Sequence, residues 1–358
     1  MRRVGGSTEE AGRLSEQQRS PARARTSSDP GPADVRIAIL GAGSMGTAHA
    51  AAYAGMPGVS VAGVFSRDRE RAGAAAAICQ AKPCTDAADL IHHGGVDAVD
   101  ICLPSALHHD VVVAALEAGK HVFCESPLAL DLGQARRMRD TARRTGRLLQ
   151  VGLLMRSVAA YRHVEAVARS GEHGRLLSVT TCRLGSYLHA GTTDRKDHYG
   201  DPSTELMTFD LDFVHWLMGE PQSLSASAAR TPDGRPGEIS AVLSYPGGRH
   251  ATVIASGLMP PGSPFTVAFR ALFEGAAFDY SASFGEIPPK SSFTVAAGKA
   301  APQRVSVVDR NPYEIELQHF VDCIRGRADP ALLDADRAIE ALQLSLATQR
   351  AIESFTSA

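Results

Sequence analysis

The sequence of 358 residues has no apolar run long enough to cross a membrane and no stretch typical of a secretory signal. Its formal net charge is only −2, which argues against a nucleic-acid or other polyanionic partner. Its six cysteines form no C-x-x-C pair, and no ligand cluster indicates a structural metal. We therefore expect reduced, buried cysteines, no bound metal and a cytoplasmic protein that acts on a small molecule.

The first 34 residues mix arginine, serine, glutamate, glycine and proline without apolar periodicity. Such a composition predicts a disordered tail, because it cannot bury enough apolar surface to fold. A start codon assigned too far upstream would give the same pattern. The remaining residues, 35–358, are enough for about two domains.

The most informative motif is a glycine turn between a short apolar strand, Val35–Leu40, and an alanine-rich helix over residues 47–54. The G-x-G-x-x-G spacing of Gly41, Gly43 and Gly46 is typical of dinucleotide-binding turns. Gly41 permits the tight turn, Gly43 lets the backbone approach a pyrophosphate, and Gly46 lets helix and strand pack closely. We expect Gly41, Gly43, Ser44, Met45 and Gly46 to hold the pyrophosphate, with the helix N-terminus facing it.

The next strand, Val59–Phe65, indicates which dinucleotide binds. An acidic residue about twenty positions after the glycines would bind the ribose of NAD. This chain has Ser66 and Arg67 at that place, with Arg69 and Arg71 close behind. A hydroxyl and a guanidinium suit a 2′-phosphate, so Ser66, Arg67 and Arg71 predict a preference for NADP(H), with NAD(H) as the alternative. Asp68 complicates this interpretation, and the arginines could also belong to a solvated helix start.

Strands and helices alternate up to residue 153. Strands are expected at residues 96–103, 121–124 and 148–153, and helices at 106–118 and 131–146. This alternation predicts an α/β fold with a doubly wound parallel sheet. After a helix at residues 157–169, longer alternating strands follow at 176–187, 223–230, 239–245, 250–256 and 265–273, separated by turn residues. They predict an open, mostly antiparallel sheet, followed by helices at 312–325 and 335–355.

Several segments carry a resemblance to a known family: VDICLP at residues 99–104 with His108, GKHVFCESP at 119–127, Arg156, the run 210–221, and NPYE at 311–314. In order and spacing they resemble the Gfo/Idh/MocA oxidoreductases. The resemblance implies a Rossmann domain over residues 35–153. It also implies an α/β domain over 154–358 whose open sheet faces the substrate and often forms an oligomer contact, so a homodimer or homotetramer is expected. Members commonly transfer a hydride between NAD(P)(H) and a sugar, a cyclitol or a related carbonyl compound.

The resemblance also implies roles for individual residues. We expect Pro104, His108 and Glu125 to line the nicotinamide ribose, with Ser126 beside the site of hydride transfer. On the substrate side the resemblance points to Arg156 and Asp212, and the polar residues on and after the strand that ends at Tyr187 add Arg183 and His189.

The chain departs from the family pattern at the residues that do the chemistry. Family enzymes usually carry lysine between the glutamate and proline of the 119–127 segment, and here that residue is Ser126. A second family signature has Asp, then His or Tyr four positions later, then another Asp. Here those positions are Glu205, Phe209 and Asp212. A developing alkoxide needs a proton donor or a fixed positive dipole, so a replacement is required.

Candidate replacements lie in and around the polar segment 187–199. Tyr187 would share a strand face with Arg183 and Gly185, and Lys196 or His198 could supply charge from a loop. Ser126 could pass on a proton if Glu205 relays it, which requires burial to raise the pKa of Glu205. The alternatives are a solvated surface loop and, for Ser126, an ordinary turn residue before proline.

Two classes of function fit these observations. The first is an NADP(H)-dependent oxidoreductase that acts on a sugar-like, cyclitol-like or imine-containing molecule with a nonstandard proton donor. The second is a nucleotide-binding regulator or sensor on the same fold, and a non-redox enzyme is a third possibility. The polar segment favours the first class, whereas Ser126 and Phe209 together favour the second. We expect the enzyme, because an apparently complete nicotinamide site otherwise needs a separate explanation.

Overall fold

The first half of the fold is a six-stranded parallel sheet in the computed structural model, which describes residues 34–93, 95–188, 201–285, 290–308 and 310–356. The strand order is β3-β2-β1-β4-β5-β6, which confirms the predicted doubly wound parallel sheet. The strands are β1 Val35–Leu40, β2 Val59–Phe65, β3 Lys82–Cys84, β4 Ala98–Ile101, β5 His121–Cys124 and β6 Leu149–Val151. The helices are α1 Ser44–Ala54, α2 Arg69–Ile78, α3 Ala87–Ile91, α4 His108–Glu117 and α5 Leu132–Thr145.

Local sequence accounts for where these elements begin and end. The side chain of Asp68 accepts hydrogen bonds from the backbone N–H groups of Glu70 and Arg71, which caps the start of α2. Asp131 caps α5 in the same way, and that helix ends at Gly146 in the left-handed conformation. The strands of the sheet centre are almost wholly buried, as parallel strands covered on both faces should be.

The second half is an eight-stranded sheet in the order β14-β13-β12-β11-β7-β10-β9-β8. All of its pairs are antiparallel except β7 with β10, which confirms the mostly antiparallel sheet. Tyr161 packs edge to face against both Phe213 and Phe269 in its core. The strands are β7 Leu176–Leu184, β8 Ser223–Arg230, β9 Pro236–Ser244, β10 His250–Ser256, β11 Phe265–Phe273, β12 Ala276–Phe284, β13 Lys290–Ala297 and β14 Gln303–Arg304; the helices are α6 Ala159–Ser170, α7 Pro202–Glu205 and α8 Met207–Met218.

The two last helices, α9 Pro312–Ile324 and α10 Ala335–Thr356, return to the first sheet. Leu317, Phe320 and Val321 of α9 are fully buried in the same apolar core as the strands of the parallel sheet. The core of the Rossmann half is therefore completed by residues from the C-terminal end of the chain. The predicted division at residue 153 stays a prediction, and residues 1–33 of the predicted tail lie outside the described part of the chain.

Several boundaries differ from those predicted. The helix after the glycine turn begins at Ser44 rather than at residue 47, because the last glycine, Gly46, lies inside its first turn. Strand β7 ends at Leu184 instead of reaching residue 187, since its pairing with β11 stops there and the backbone N–H of Gly185 donates to Ser256. Strands β12 to β14 were not predicted, because their many alanines, serines and charged residues give little β signal.

Candidate active site

The glycine turn lies where β1 ends and α1 begins. Gly41 has φ +121°, and a side chain there would collide with the carbonyl oxygen of Cys102. A side chain at Gly46 would collide with the carbonyl oxygen of Gly41. At Gly43, by contrast, an added Cβ would meet no atom within 4 Å. Two of the glycines are therefore required by packing, whereas Gly43 faces open space on the side where a ligand can approach.

The start of α1 is suited to an anion. Its N-cap is Gly43, so no side chain occupies the first free N–H groups, and both Gly43 and Ser44 are exposed. This open cradle fits the pyrophosphate of a dinucleotide, which would bind the backbone N–H groups at the N-terminus of the helix. Ser44 and Met45 would contribute the first of these groups.

The loop after β2 carries the residues predicted to select the cofactor. Ser66 Oγ accepts a hydrogen bond from the backbone N–H of Asp68 at 3.2 Å. Asp68 caps α2 and lies 3.4 Å from Arg71 Nε, so this acid is occupied within its own helix start. Arg67 is exposed. The carboxylate next to the predicted ribose site therefore has a local structural role.

Strands β1, β4 and β5 are neighbours, so their carboxyl ends meet at one edge of the sheet. Pro104 follows β4, and Glu125 and Ser126 follow β5. The ring of His108 lies between the two loops, with Nε2 2.8 Å from Leu103 O and Nδ1 3.0 Å from Pro127 O. Burial lowers the pKa of His108, so the ring is neutral and donates to only one of these carbonyls at a time.

Ser126 is held by the neighbouring loop. Its Oγ donates a hydrogen bond to Gly152 O at 2.9 Å, and its backbone N–H donates to Glu125 Oε2 at 3.2 Å. In this arrangement the hydroxyl proton points to a backbone carbonyl. Ser126 would have to rotate before it could donate that proton to a substrate.

Glu205, at the end of α7, reaches the same edge of the sheet. Its Oε2 accepts a hydrogen bond from Ser105 Oγ at 3.2 Å, and Ser105 directly follows Pro104. An acid from the second half of the chain is thus brought beside the predicted nicotinamide site. Tyr187 lies beyond the end of β7 and packs against the core of the second half.

The predicted substrate ligands Arg156, Arg183 and Asp212 are strongly engaged within the protein. Arg156 forms a two-point ion pair with Asp212, with Nε–Oδ2 2.9 Å and Nη2–Oδ1 2.7 Å, and is only 3% exposed. Arg183 Nε donates to Asp210 Oδ2 at 2.8 Å and is 5% exposed. These contacts leave little of either guanidinium for a ligand. Three further predicted residues, His189, Lys196 and His198, lie outside the described residues.

A buried polar cluster beneath the glycine turn was not predicted. His49 of α1 has Nδ1 2.8 Å from Asp100 Oδ2 and Nε2 2.9 Å from Glu125 Oε1, although the second pair is not aligned as a hydrogen bond. Burial lowers the pKa of His49, but the charge of Asp100, acting together with Cys102 and with the hydrogen bonds to both residues, raises that pKa well above its usual value. Glu316 of α9 completes the cluster. The only signal in the sequence was a histidine and an aspartate inside otherwise apolar segments.

A Rossmann sheet with an open glycine turn at its carboxyl edge, joined to a mostly antiparallel domain, is typical of NAD-binding oxidoreductases. Residues 35–153 match the model of an oxidoreductase family with an NAD-binding Rossmann fold, and residues 161–275 match the GFO/IDH/MocA C-terminal domain. The chain belongs to the Gfo/Idh/MocA family. Among the described residues, none of the helices is both long and apolar enough to span a membrane.

Relatives of known name share much of the chain. The scyllo-inositol 2-dehydrogenase (NAD(+)) of Bacillus subtilis is 25% identical over 324 residues, which cover 85% of this chain and 90% of that protein. The inositol 2-dehydrogenase of Salmonella typhimurium is 33% identical over 192 residues, covering 52% of this chain and 55% of that protein. The structure of UDP-N-acetylglucosamine 3-dehydrogenase GnnA from Acidithiobacillus ferrooxidans has TM-score 0.75 at 24% identity, over 90% of this chain and 98% of that one, and so shows the shared fold.

Proposed function

We propose that this oxidoreductase prefers NADP(H) and transfers a hydride to or from a sugar-like, cyclitol-like or imine-containing small molecule, with a proton donor other than the usual family lysine. The observation that carries this proposal is the contact between Glu205 and Ser105. It brings an ionisable side chain of the second half to the edge of the sheet where Glu125 and the glycine turn meet. The nicotinamide ring and the side chain that transfers the proton would then lie on opposite sides of the bound substrate.

The residues of the cofactor site have separate tasks. When bound, the nicotinamide ring supplies or accepts the hydride. The backbone at Gly43, Ser44 and Met45 would hold the pyrophosphate. Pro104, His108 and Glu125 would contact the nicotinamide ribose, and the bond from Ser126 to Gly152 would fix the loop that carries Glu125.

The preference for NADP(H) rests on the loop after β2. Asp68 is engaged as the cap of α2, while Arg67 is exposed beside Ser66, so a cation rather than an acid is available to the ribose. Arg67→Ala should raise the Kd of NADPH about tenfold or more and leave the Kd of NADH nearly unchanged. Arg69→Ala, in the first turn of α2, is the matched control. Equal Kd values for NADPH in wild type and Arg67→Ala would contradict the preference.

The substrate class rests on the chemistry of the relatives named as inositol dehydrogenases. The test is a panel of inososes, keto sugars and cyclic imines with NADPH, and of the corresponding alcohols and amines with NADP⁺. Oxidation of NADPH with any member would support the proposal. Tight cofactor binding without turnover in either direction on the whole panel would count against this substrate class.

Proton transfer is proposed to involve Glu205, with Tyr187 and Ser126 as further candidates. For a carbonyl substrate, the carbon receives the hydride while the oxygen takes a proton from the protein. Glu205 is the described acid that contacts the loop after β4. The proposal retains Lys196 and His198 as proton donors and His189 as a substrate ligand. Arg156, Arg183 and Asp212 are retained as residues that shape the substrate side through their buried ion pairs, which leave little of them for direct contact.

We also propose that the protein is a homo-oligomer of the cytoplasm that associates through the outer face of the eight-stranded sheet. Val242 and Leu272 are both 39% exposed and lie on β9 and β11, where alternate residues face outward. Leu272→Arg should shift the mass measured by light scattering toward the monomer. An unchanged mass would argue against this face as the contact.

A further inference from the structure

Glu316 of α9 is a buried carboxyl group that the proposed reaction leaves unused. It is 0% exposed, and among the described residues neither of its oxygens has a hydrogen-bond partner. A carboxylate in such a place is strongly disfavoured, because it has lost its water and gained no donor. The side chain therefore needs either a cation or a proton.

The neighbours of Glu316 are themselves ionisable. Glu316, His49 and Glu125 each offer one atom, and these three atoms all lie within 4.8 Å of one another. His49 also contacts Asp100, with Nδ1 2.8 Å from Oδ2. One imidazole thus lies among three carboxyl groups. The titratable groups that face Glu316 from all packed elements are Glu125 after β5, His49 and Tyr53 on α1, Asp100 on β4, and Tyr313 on its own helix.

The cluster carries excess negative charge, which one protonated carboxyl group or a bound cation would reduce. With three ionised carboxylates and a charged His49, two negative charges would remain in excess among side chains that are almost wholly buried. Burial, followed by repulsion from Glu125, raises the pKa of Glu316 well above its usual value. Glu316 is as fully buried as Asp100, but both of its oxygens lack a hydrogen-bond partner among the described residues, whereas Asp100 and Glu125 each accept a hydrogen bond, so the proton belongs on Glu316.

A protonated Glu316 needs an acceptor for its O–H group. Asp100 Oδ2 is already paired with His49, and Glu125 Oε2 accepts from the backbone N–H of Ser126. Glu125 Oε1 is buried and has no aligned donor among the described residues. It lies 2.9 Å from His49 Nε2 but is not aligned to accept a hydrogen bond from it, so it keeps a lone pair for the O–H group of Glu316.

We propose that Glu316 is a positioning residue which, as a neutral carboxylic acid, donates a hydrogen bond to Glu125 and so holds that side chain in the orientation that binds the nicotinamide ribose. The inference rests on the proposed cofactor contact of Glu125. It ties a helix near the C-terminal end of the chain to the cofactor edge of the first sheet. Removing Glu316 should then weaken cofactor binding although Glu316 itself does not touch the cofactor.

The test compares Glu316→Gln, Glu316→Leu and Glu125→Gln, with Asp322→Asn as the control. Asp322 lies on the same helix and accepts a hydrogen bond from Gln318 at 3.1 Å, outside the cluster. The Kd of NADPH and NADH is measured by fluorescence titration at neutral pH. We expect Glu316→Leu to raise both Kd values about tenfold. Glu316→Gln, whose amide can still donate, should recover most of that loss, and Asp322→Asn should bind as wild type does.

The infrared difference spectrum between wild type and Glu316→Gln gives a readout that simple packing would not move. We expect wild type to show the C=O stretching band of a protonated carboxyl group at neutral pH, and the variant to lack it. This measurement decides the protonation state even if Glu316→Leu fails to fold. An absent band in wild type would overturn the proposal.

Two other results would overturn it as well. Equal Kd values for Glu316→Gln and Glu316→Leu would mean that no hydrogen bond is donated. A stoichiometric metal ion in the purified protein, lost in Glu316→Gln, would mean that a cation rather than a proton balances the cluster. If Glu125→Gln binds the cofactor normally, the proposed role of Glu125 fails; if only Glu125→Gln binds weakly, Glu125 keeps its role and the inference about Glu316 fails alone.

Discussion

The guanidinium carbon of Arg183 lies 4.9 Å from the centroid of the Phe209 ring. The Nε atom of Arg183 donates to Asp210, the next residue of α8. Trp216 and Asp212 lie further along the same helix, and both contact Arg156. The guanidinium carbon of Arg156 lies 5.0 Å from the centroid of the Trp216 ring, and its guanidinium pairs with Asp212. Phe209 thus packs on a buried cation at the position where the family resemblance leads one to expect histidine or tyrosine. Its ring covers a charge, and the proton donor must come from elsewhere.

Replacing Phe209 by leucine should therefore destabilise the fold beyond the loss of apolar contact. A desolvated cation–π contact contributes about 1–2 kcal/mol, which should appear as a lower midpoint of urea unfolding. Phe284→Leu is the control, because that ring is 46% exposed and no arginine is recorded over it within the described residues. A similar small change in both variants would show that the stacking on Arg183 contributes little.

Arg156 and Asp212 should stabilise the fold only while both charges are present. Asp212→Ala leaves a buried guanidinium without its counter-charge, so we expect a loss of about 3–5 kcal/mol in the free energy of unfolding. The double variant Arg156→Met/Asp212→Leu should recover most of this loss, because neither charge remains. Glu274→Ala, which removes an exposed partner of Arg175, should cost less than about 1 kcal/mol. A double variant no more stable than Asp212→Ala would contradict this interpretation.

Alanine substitutions in the first glycine turn should show which glycine is needed for folding and which for cofactor binding. Gly43→Ala meets no protein atom within 4 Å, so its melting temperature should stay close to that of wild type while the Kd of NADPH rises. Gly41→Ala places a side chain against the carbonyl of Cys102 at φ +121°, so it should lower the melting temperature. Differential scanning fluorimetry with and without NADPH measures both effects. Normal cofactor binding by Gly43→Ala would argue that the pyrophosphate does not approach this residue.

The elements that could be predicted from the sequence are those with a local signal. Val35–Leu40 and the glycines after it sit within a dozen residues, and each has a steric reason that holds in any chain. The hairpin strands of the second sheet were likewise marked by alternation and turn residues, although β12 to β14 lacked that signal. The caps Asp68 and Asp131 follow the same local rules.

The polar cluster could not be predicted, because its members come together only in the folded chain. His49 and Asp100 are 51 residues apart, and Glu316 comes from a helix after the second sheet. The burial of Arg156 and Arg183 could not be predicted for the same reason, because their carboxylate partners lie 56 and 27 residues away in the sequence. Residue type indicated polarity at these sites, and only tertiary packing determined that the partners were other side chains.

Glu205 should affect turnover more than binding. If Glu205 transfers the proton, Glu205→Gln should lower kcat by about 10²–10⁴-fold, while the Kd of NADPH changes little. Tyr187→Phe tests the second candidate in the same assay, and Glu220→Gln, an exposed acid after α8, is the control. Full activity of both Glu205→Gln and Tyr187→Phe would rule out this route for the proton.

The His49 cluster should make the stability of the protein depend on pH. The pKa of His49 is raised above its usual value of 6.5 in the folded state, so the folded protein keeps a proton that the unfolded chain releases. Its contribution is complete below about pH 6.5 and is lost as the pH rises through the folded pKa. The pKa of Glu316 is also raised, so Glu316 adds a contribution of the same sign. This contribution starts to be lost as the pH rises above the usual value of 4.5.

We therefore expect the free energy of unfolding, measured in urea, to fall as the pH rises above about 6.5, by no more than about 1.4 kcal/mol per pH unit for each group. His49→Gln should flatten this slope, and His49→Gln combined with Glu316→Gln should flatten it further, because neither side chain can then release a proton. His250→Gln, which removes an exposed histidine of β10, should leave the slope as it is. Parallel curves for wild type and His49→Gln would show that His49 does not hold the extra proton.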